Sequence, residues 1–557
     1  MTVLIYDTTL RDGTQGEGVA LSIRDKVTIA QLMDEIGISY IEGGWPGSNP
    51  RDEQFFEDIK KVKLAQAKVA AFGSTRRSGI TCDVDPNIQS LLRAETPVVT
   101  IFGKTWRFQA EVALKISGEE NLVLIEDSIR YLKDRTPEVI FDAEHFFDGY
   151  KDDPEYAIAC LRAALRGGAD WLTLCETNGG AMTHEVEAAV SHVIRELTSG
   201  SHTAPIGIHT HNDCELGVAN ALVAVRAGAN LVQGTVNGVG ERCGNANLIS
   251  IVANLCLKMT PAGQKPPLTL EQLKRLKHLS RTVDETANRA PWTQQPYVGQ
   301  SAFAHKGGIH VDAIKKDSRT YEHVEPESVG NHRRILVSDL SGRSNVEMKA
   351  KELGIDLDPA SPDARRVVSR LKQLEADGYE FESAGGSFKL LAMECMGQRP
   401  AYFALRALEV TTAFGDGEHG QAEAGTTRAR IEIGVGEQVA YTSAVGDGPV
   451  HAIDTALRSL IDKFYPELST VRLVDYKVRV LTSKEGTGSV VRVLIQSSDG
   501  DESWGTVGVS PNIIHASWAA MVDALEYKLI KHTVEPYRSS VVPETRPPRS
   551  SPRTSSV

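Results

Sequence analysis

"PIGIHTHNDCELGVANALVAVRAGANLVQGTVNGVGERCGN", residues 205–245, holds one whole strand–helix–strand unit. Pro205 opens a short β-branched apolar run that closes on His209 and His211. In a strand, side chains at i and i+2 leave the same face roughly 6–7 Å apart. In a helix that spacing would splay them by roughly 200°. "PIGIHTH" therefore reads as a buried strand whose end presents two imidazoles side by side. Such a pair can share a cation, or it can be two ordinary polar residues capping a strand. "NDCELGVANALVAVRAGA" then carries apolar residues at helical spacing and stops at Gly228, and "NLVQGTVNGVGE" begins the next strand.

The same alternation runs through the first 240 residues. Short apolar runs ending in polar residues or glycine occur as "VLIYDTTLRDG", "YIEGGWPG", "KVAAFGST", "PVVTIFGK", "EVIFDAEHF" and "DWLTLCETNGG" before the pair above. Helical stretches such as "SIRDKVTIAQLMDEIG" separate them. Eight strand–helix units in ~250 residues predict a parallel sheet closed into a (β/α)₈ TIM barrel. An open α/β sheet is the alternative, weakened by the absence of a GxGxxG turn after the first strand.

A barrel gathers the C-terminal ends of its strands at one mouth. Here those ends supply Asp7, Arg11, Asp12, Glu42, Glu144, Glu176, Thr177, His209 and His211, with Glu241 and Asn245 after the eighth. Strand eight is the neighbour of both strand seven and strand one. Asn245 therefore falls between the histidine pair and Asp12. Two imidazoles, a carboxylate and an amide oxygen form a set without thiolate, suited to Mn²⁺, Mg²⁺, Co²⁺ or Zn²⁺ in an open site. The competing reading is a polar network that closes the mouth.

Bulk composition narrows the class. The 557 residues are 41% apolar, 24% charged and 6% aromatic, with a net charge of −12. Nothing in that balance calls for nucleic acid or an anionic membrane as partner. No apolar run approaches the ~18 residues of a membrane span. Seven scattered cysteines without a CxxC fit a reducing, cytoplasmic setting. "MTVLIYDTTL" enters a strand pattern at once, leaving no room for a targeting peptide.

Beyond the barrel, expected over 1–262, residues 263–398 read as helical linker subdomains, to which the resemblance described below assigns the completion of the active site. They begin with "TLEQLKRLKHLSRTVDETANRA" and include the irregular, Gly/His/Tyr-rich "SAFAHKGGIHVDAIKKDSRTYEHVEPESVGN". Residues 399–540 read as a C-terminal α+β regulatory domain of alternating strands, "FALRALEVTTAF", "TRARIEIGV", "YKVRVLTS" and "GSVVRVLIQSS", in two β-rich units each closed by one helix. It contains an internal repeat: "VGDGPVHAIDTALRSLID" (445–462) resembles "VGVSPNIIHASWAAMVDAL" (507–525). Such a module fits a regulatory or dimerising role. The Pro/Ser/Arg-rich residues 541–557 read as a disordered tail.

"DTTLRDGTQ" (7–15) resembles the first signature of the DRE-TIM metallolyases, with Thr14 where that signature has glutamate. "HTHND" and "GVGERCGNANL" (238–248) resemble its second and third signatures. "HKGGIH…Y" resembles the Claisen-condensing branch, the 2-isopropylmalate, homocitrate and citramalate synthases. "EGGWPGSNPRDEQFF", "FGSTRR" and "VTIFGK" look most like long-chain citramalate synthases. The resemblance runs from Met1 to about Leu529. It implies metal-dependent condensation of acetyl-CoA with a 2-oxo acid, here pyruvate, or 2-oxoisovalerate if the chain is an isopropylmalate synthase. It implies Asp12, His209, His211 and Asn245 as ligands and Arg11 as stabiliser of developing negative charge. Thr177 would be the donor to the oxo-acid carboxylate, and Glu144 would position or relay a proton. His310 with Tyr321 would be the base pair for the acetyl methyl group. It also implies a homodimer inhibited by an end-product amino acid, isoleucine for a citramalate synthase. Two readings from other classes are a carbon–carbon lyase, whose branch lacks the long C-terminal repeat, and a non-catalytic amino-acid sensor, which has no need of Arg11, Glu144 and an intact metal set.

Overall fold

The computed structural model describes residues 2–198, 205–260, 265–338, 342–416, 422–481 and 489–537. The expected tail at 541–557 lies outside them. Packing divides the chain into two compact units. One holds the described residues up to Phe303 with Glu322–Arg333; the other holds Ala304–Tyr321 and the described residues from Arg334 onward.

The first unit is a closed parallel barrel of eight strands in sequence order. They are β1 (Leu4–Asp7), β2 (Tyr40–Gly44), β3 (Lys68–Ser74), β4 (Val98–Lys104), β5 (Glu138–Glu144), β6 (Trp171–Glu176), β7 (Ile206–Thr210) and β8 (Leu231–Gly234). Closure pairs Leu4 with Leu231 and Asp7 with Gly234. All eight runs singled out in the sequence form strands of this barrel. The helix after β1, Ile23–Ile36, shows why the alternation holds. Ser22 and Asp25 cap its start reciprocally, and Gly37 ends it at φ 102°, where a Cβ would be strained. Its Ile29, Met33 and Ile36 are fully buried against the strands. At the end opposite the mouth, Tyr6, Tyr40, Ala70, Val98, Ile140, Trp171 and Leu231 form a separate apolar layer that fills the barrel interior.

One buried carboxylate ties that helix to the turn that leads into β3. Asp34 accepts backbone N–H groups from Ala65 (2.7 Å), Gln66 (2.8 Å) and Ala67 (2.7 Å). Burial alone would raise its pKa; the three donors outweigh that and hold it below the ordinary aspartate value. Asp34→Ala leaves those donors without their acceptor and is expected to cost about 3 kcal/mol in denaturant unfolding. A depressed folded pKa contributes stability above the unfolded value and loses it as pH falls. The difference between wild type and variant should therefore shrink as pH drops below ~4.

Packing does not break at residue 262. Leu268, Leu273, Leu276, Leu279 and Val283 are buried in the barrel's own core, so the polar helix Leu276–Thr286 belongs to that body. The stretch from 301 that read as irregular contains a helix, Gly308–Lys316. Its two leading glycines mask the start.

In the second unit the helices Arg343–Glu352, Pro362–Ala376 and Gly385–Cys395 surround a core of Val346, Val367, Leu371 and Phe388. The repeat then appears twice as three antiparallel strands and a helix. The first copy is Ala404–Asp416, Ala422–Val435, Gln438–Gly446 and the helix Pro449–Ile461. The second is Arg472–Val480, Val491–Ser498, Ser503–Ser510 and the helix Ile513–Lys531. The two copies share one core, in which Ile453 and Leu457 of one helix join Met521 and Leu525 of the other. Among the described residues no helix is long and apolar enough to cross a membrane.

Candidate active site

The turn after β1 is pinned before it delivers any chemistry. Asp7 accepts the Thr9 N–H and hydroxyl at 2.8 Å each, and Thr9 Oγ1 accepts the Val236 N–H, just after β8, at 2.8 Å. The end of β1 is thereby fixed to the loop that carries Asn245. Burial raises the pKa of Asp7 to about 7.

Asp12, His209 and His211 converge, all buried, with ligand atoms close enough to share one ion. His209 Nε2 lies 3.3 Å from His211 Nε2 and 3.5 Å from Asp12 Oδ2. The tautomer of His209 follows from its neighbours. Gln233 Nε2 donates to Asp142 Oδ1 (2.9 Å), so Gln233 Oε1 accepts from His209 Nδ1–H (2.9 Å). His209 Nε2 therefore carries a lone pair, turned toward the other donors. Burial, then the neighbouring His209, push the pKa of His211 down to about 4, so His211 is neutral at pH 7. Asn245 pairs with His211 as an isolated backbone bridge, and its buried Oδ1 has no hydrogen-bond partner. A buried orphan acceptor beside two imidazoles and a carboxylate fits a divalent cation of borderline hardness. The glycines of "GVGERCG" make room for that side chain, since a Cβ at Gly240 would collide with the Asn245 amide.

Arg11 lies beside this set. Its Nε donates to Glu42 Oε1 at 2.5 Å, its Nη1 lies 3.3 Å from Asp12 Oδ1, and its Cζ sits 3.6 Å over the Phe72 ring. Glu42, fully buried, also accepts the Tyr6 hydroxyl at 2.7 Å. Burial would lower the Arg11 pKa, but the Asp12 and Glu42 carboxylates raise it above the usual value. The fork is thus a fixed cation at the edge of a cavity of about 240 Å³. Asp12, His209, His211, Glu144 and Thr177 also line that cavity. One wall is aromatic: Phe72 and Phe102 stack at 5.5 Å, and Trp45 meets both edge-on. Glu144 ends β5 and pairs with Lys104. Thr177 follows β6, and its carbonyl accepts from Arg242 (2.8 Å), which also pairs with Asp213. His310 and Tyr321 belong to the second unit, where both are exposed and their rings lie 4.3 Å apart.

Residues 2–279 match the HMGL-like family, 297–378 the homocitrate synthase post-HMGL domain-like family, and 383–529 the LeuA allosteric (dimerisation) domain. An (R)-citramalate synthase of Geobacter sulfurreducens is 52% identical over 95% of this chain and 98% of its own length. One from Aquifex aeolicus is 50% identical over 96% of this chain and 99% of its own. This chain belongs to the (R)-citramalate synthase family. A probable 2-isopropylmalate synthase of Methanopyrus kandleri stands further off, at 30% identity over 93% of this chain and 97% of its own.

The residues at the strand ends and on the turns after them were legible in the sequence; the layer beneath them was not. Gln233 and Asp142 point into the barrel from mid-strand, where each reads as a polar blemish in an apolar run. A glutamine inside "NLVQG" was the available signal, because a four-residue strand buried along its whole length has no solvent to satisfy an amide. Gln233→Leu frees His209 Nδ1 and leaves Asp142 without its donor. Cation affinity, measured by calorimetric titration of the metal-stripped protein, should fall roughly 10–100-fold.

Proposed function

We propose that this chain is an (R)-citramalate synthase. It condenses acetyl-CoA with pyruvate, hydrolyses the resulting thioester, and releases citramalate and CoA in the route to isoleucine. The observation that carries this reading is the kinship over nearly the full chain, 43–52% identity to (R)-citramalate synthases against 28–30% to isopropylmalate synthases. The aromatic wall supports the small acceptor. Three rigid rings beside Arg11 suit the methyl group of pyruvate and oppose the isopropyl group of 2-oxoisovalerate.

Asp12, His209, His211 and Asn245 are the residues we assign to a divalent cation, Mn²⁺, Mg²⁺, Co²⁺ or Zn²⁺. Bound there, the cation supplies Lewis acidity and a template for the oxo acid. Thr177 donates its hydroxyl to the oxo-acid carboxylate. Arg11 stabilises the oxygen that gains charge in the condensation, using N–H groups beyond its pairs with Glu42 and Asp12. Glu144, held by Lys104, positions a proton at the cavity edge. His310, supported by Tyr321, takes the methyl proton of acetyl-CoA. The C-terminal repeat binds isoleucine as inhibitor and holds two subunits together, a reading supported by its match to an allosteric (dimerisation) domain. The unpaired state of all seven cysteines supports a reducing, cytoplasmic setting.

The test is thiol release by the purified protein given acetyl-CoA with pyruvate or with 2-oxoisovalerate. Pyruvate should be strongly preferred, with isoleucine and not leucine as inhibitor. Preference for 2-oxoisovalerate, with inhibition by leucine, would make the chain an isopropylmalate synthase.

A further inference from the structure

Between the last residue of β5 and the helix Phe146–Asp152 sits His145, a non-glycine residue in the left-handed region at φ 56°, ψ 35°. That conformation is strained for a residue with a Cβ and persists only where the surroundings over-determine it. Here it has two consequences. The His145 N–H points across to β6 and donates to Thr177 Oγ1 at 2.9 Å. The imidazole turns back onto its own helix, with Nδ1 2.8 Å from Asp148 Oδ2. The other oxygen of Asp148 accepts from Asn178 Nδ2 at 2.9 Å. Asp148 therefore ties together the two residues that directly follow Glu144 and Thr177.

The hydrogen-bond accounting at Thr177 gives this clamp a purpose. A hydroxyl has one proton to donate and lone pairs to accept with. The His145 N–H occupies the acceptor side of Thr177 Oγ1, and no described residue takes its proton. The proton is left for the cavity that Thr177 lines.

We propose that His145, anchored by Asp148, is a positioning residue for the oxo acid: it holds the Thr177 hydroxyl so that its proton meets the substrate carboxylate. The inference rests on the function proposed above. A glycine would adopt the same backbone without strain. The imidazole's pairing with Asp148 locks the N–H direction, which a glycine would leave loose.

Steady-state kinetics on the full-length, metal-loaded enzyme test this. His145→Ala should raise the KM for pyruvate about tenfold, the scale of one hydrogen bond to a charged group. The KM for acetyl-CoA should stay within about twofold. His145→Asn should restore most of the loss, because asparagine tolerates the left-handed region and its amide can donate to Asp148. In a Thr177→Val background, His145→Ala should add no further rise, since the two act through one contact. If His145→Ala fails to fold, Asp148→Ala removes the anchor and carries the same expectation. Equal rises in both KM values, or fully additive effects with Thr177→Val, would overturn the positioning role. A wild type that releases no thiol from acetyl-CoA with pyruvate would overturn the functional reading instead, and with it the carboxylate to be positioned.

Discussion

Replacing His209 with alanine is expected to abolish condensation while the barrel stays folded. A bound cation acting as Lewis acid is worth several kcal/mol of transition-state stabilisation, so turnover should fall by roughly 10³-fold or more. The fold should survive because the imidazole faces the cavity, whereas the ladder from β6 to β8 is made by the β7 backbone. Metal content, circular dichroism and thiol release measured on one preparation decide it. Stripping the wild type with a chelator should reproduce the variant's rate, and added Mn²⁺ or Co²⁺ should rescue only the wild type. A His209→Ala protein that retains full activity would remove His209 from the ligand set, and with it the cation site as drawn.

Arg11→Lys should lower kcat by roughly 10²–10³, the scale of losing one preorganised donor to a developing oxyanion. Charge is kept, so a loss of this size would report geometry. A lysine offers a single ammonium where Arg11 donates to Glu42 at 2.5 Å, lies against Asp12 and covers the Phe72 ring at once. The KM for pyruvate should move much less than kcat. A change confined to KM would mean that Arg11 binds the ground state and that transition-state charge is met elsewhere. Glu42 is fully buried and would keep only the Tyr6 hydroxyl, so a lower denaturation midpoint is expected alongside the kinetic loss.

How much of this was legible follows from where each residue sits. The barrel strands are bounded by glycine or polar residues and separated by capped helices, so their period stands out. The strands Gln438–Gly446 and Ser503–Ser510 do not. One carries Ala, Ser and Thr between its apolar residues, the other is interrupted by two glycines, and both gain their conformation from antiparallel partners distant from any local pattern. The site divides the same way. His209 and His211 lie at the end of β7, and Asp12 and Asn245 on the turns that follow β1 and β8, where a barrel makes polar residues meaningful. Gln233 and Asp142 meet across the barrel from β8 and β5, and the aromatic wall forms only when β3 and β4 pack side by side with the turn after β2. His145 was hidden for another reason: its part depends on a backbone angle, and "AEHFFDG" gives no sign that the turn runs left-handed.

The apolar layer of Tyr6, Tyr40, Trp171 and their neighbours makes the barrel a vessel stoppered at one end. Both substrates and both products must then use a single doorway, and depth sets the order of traffic. On the roles proposed for Thr177 and the ligand set, the small acceptor sits deepest and has to arrive before the bulky thioester that closes over it. CoA has to leave before citramalate can. Ordered addition would follow from the plumbing of the fold, without a moving gate to impose it.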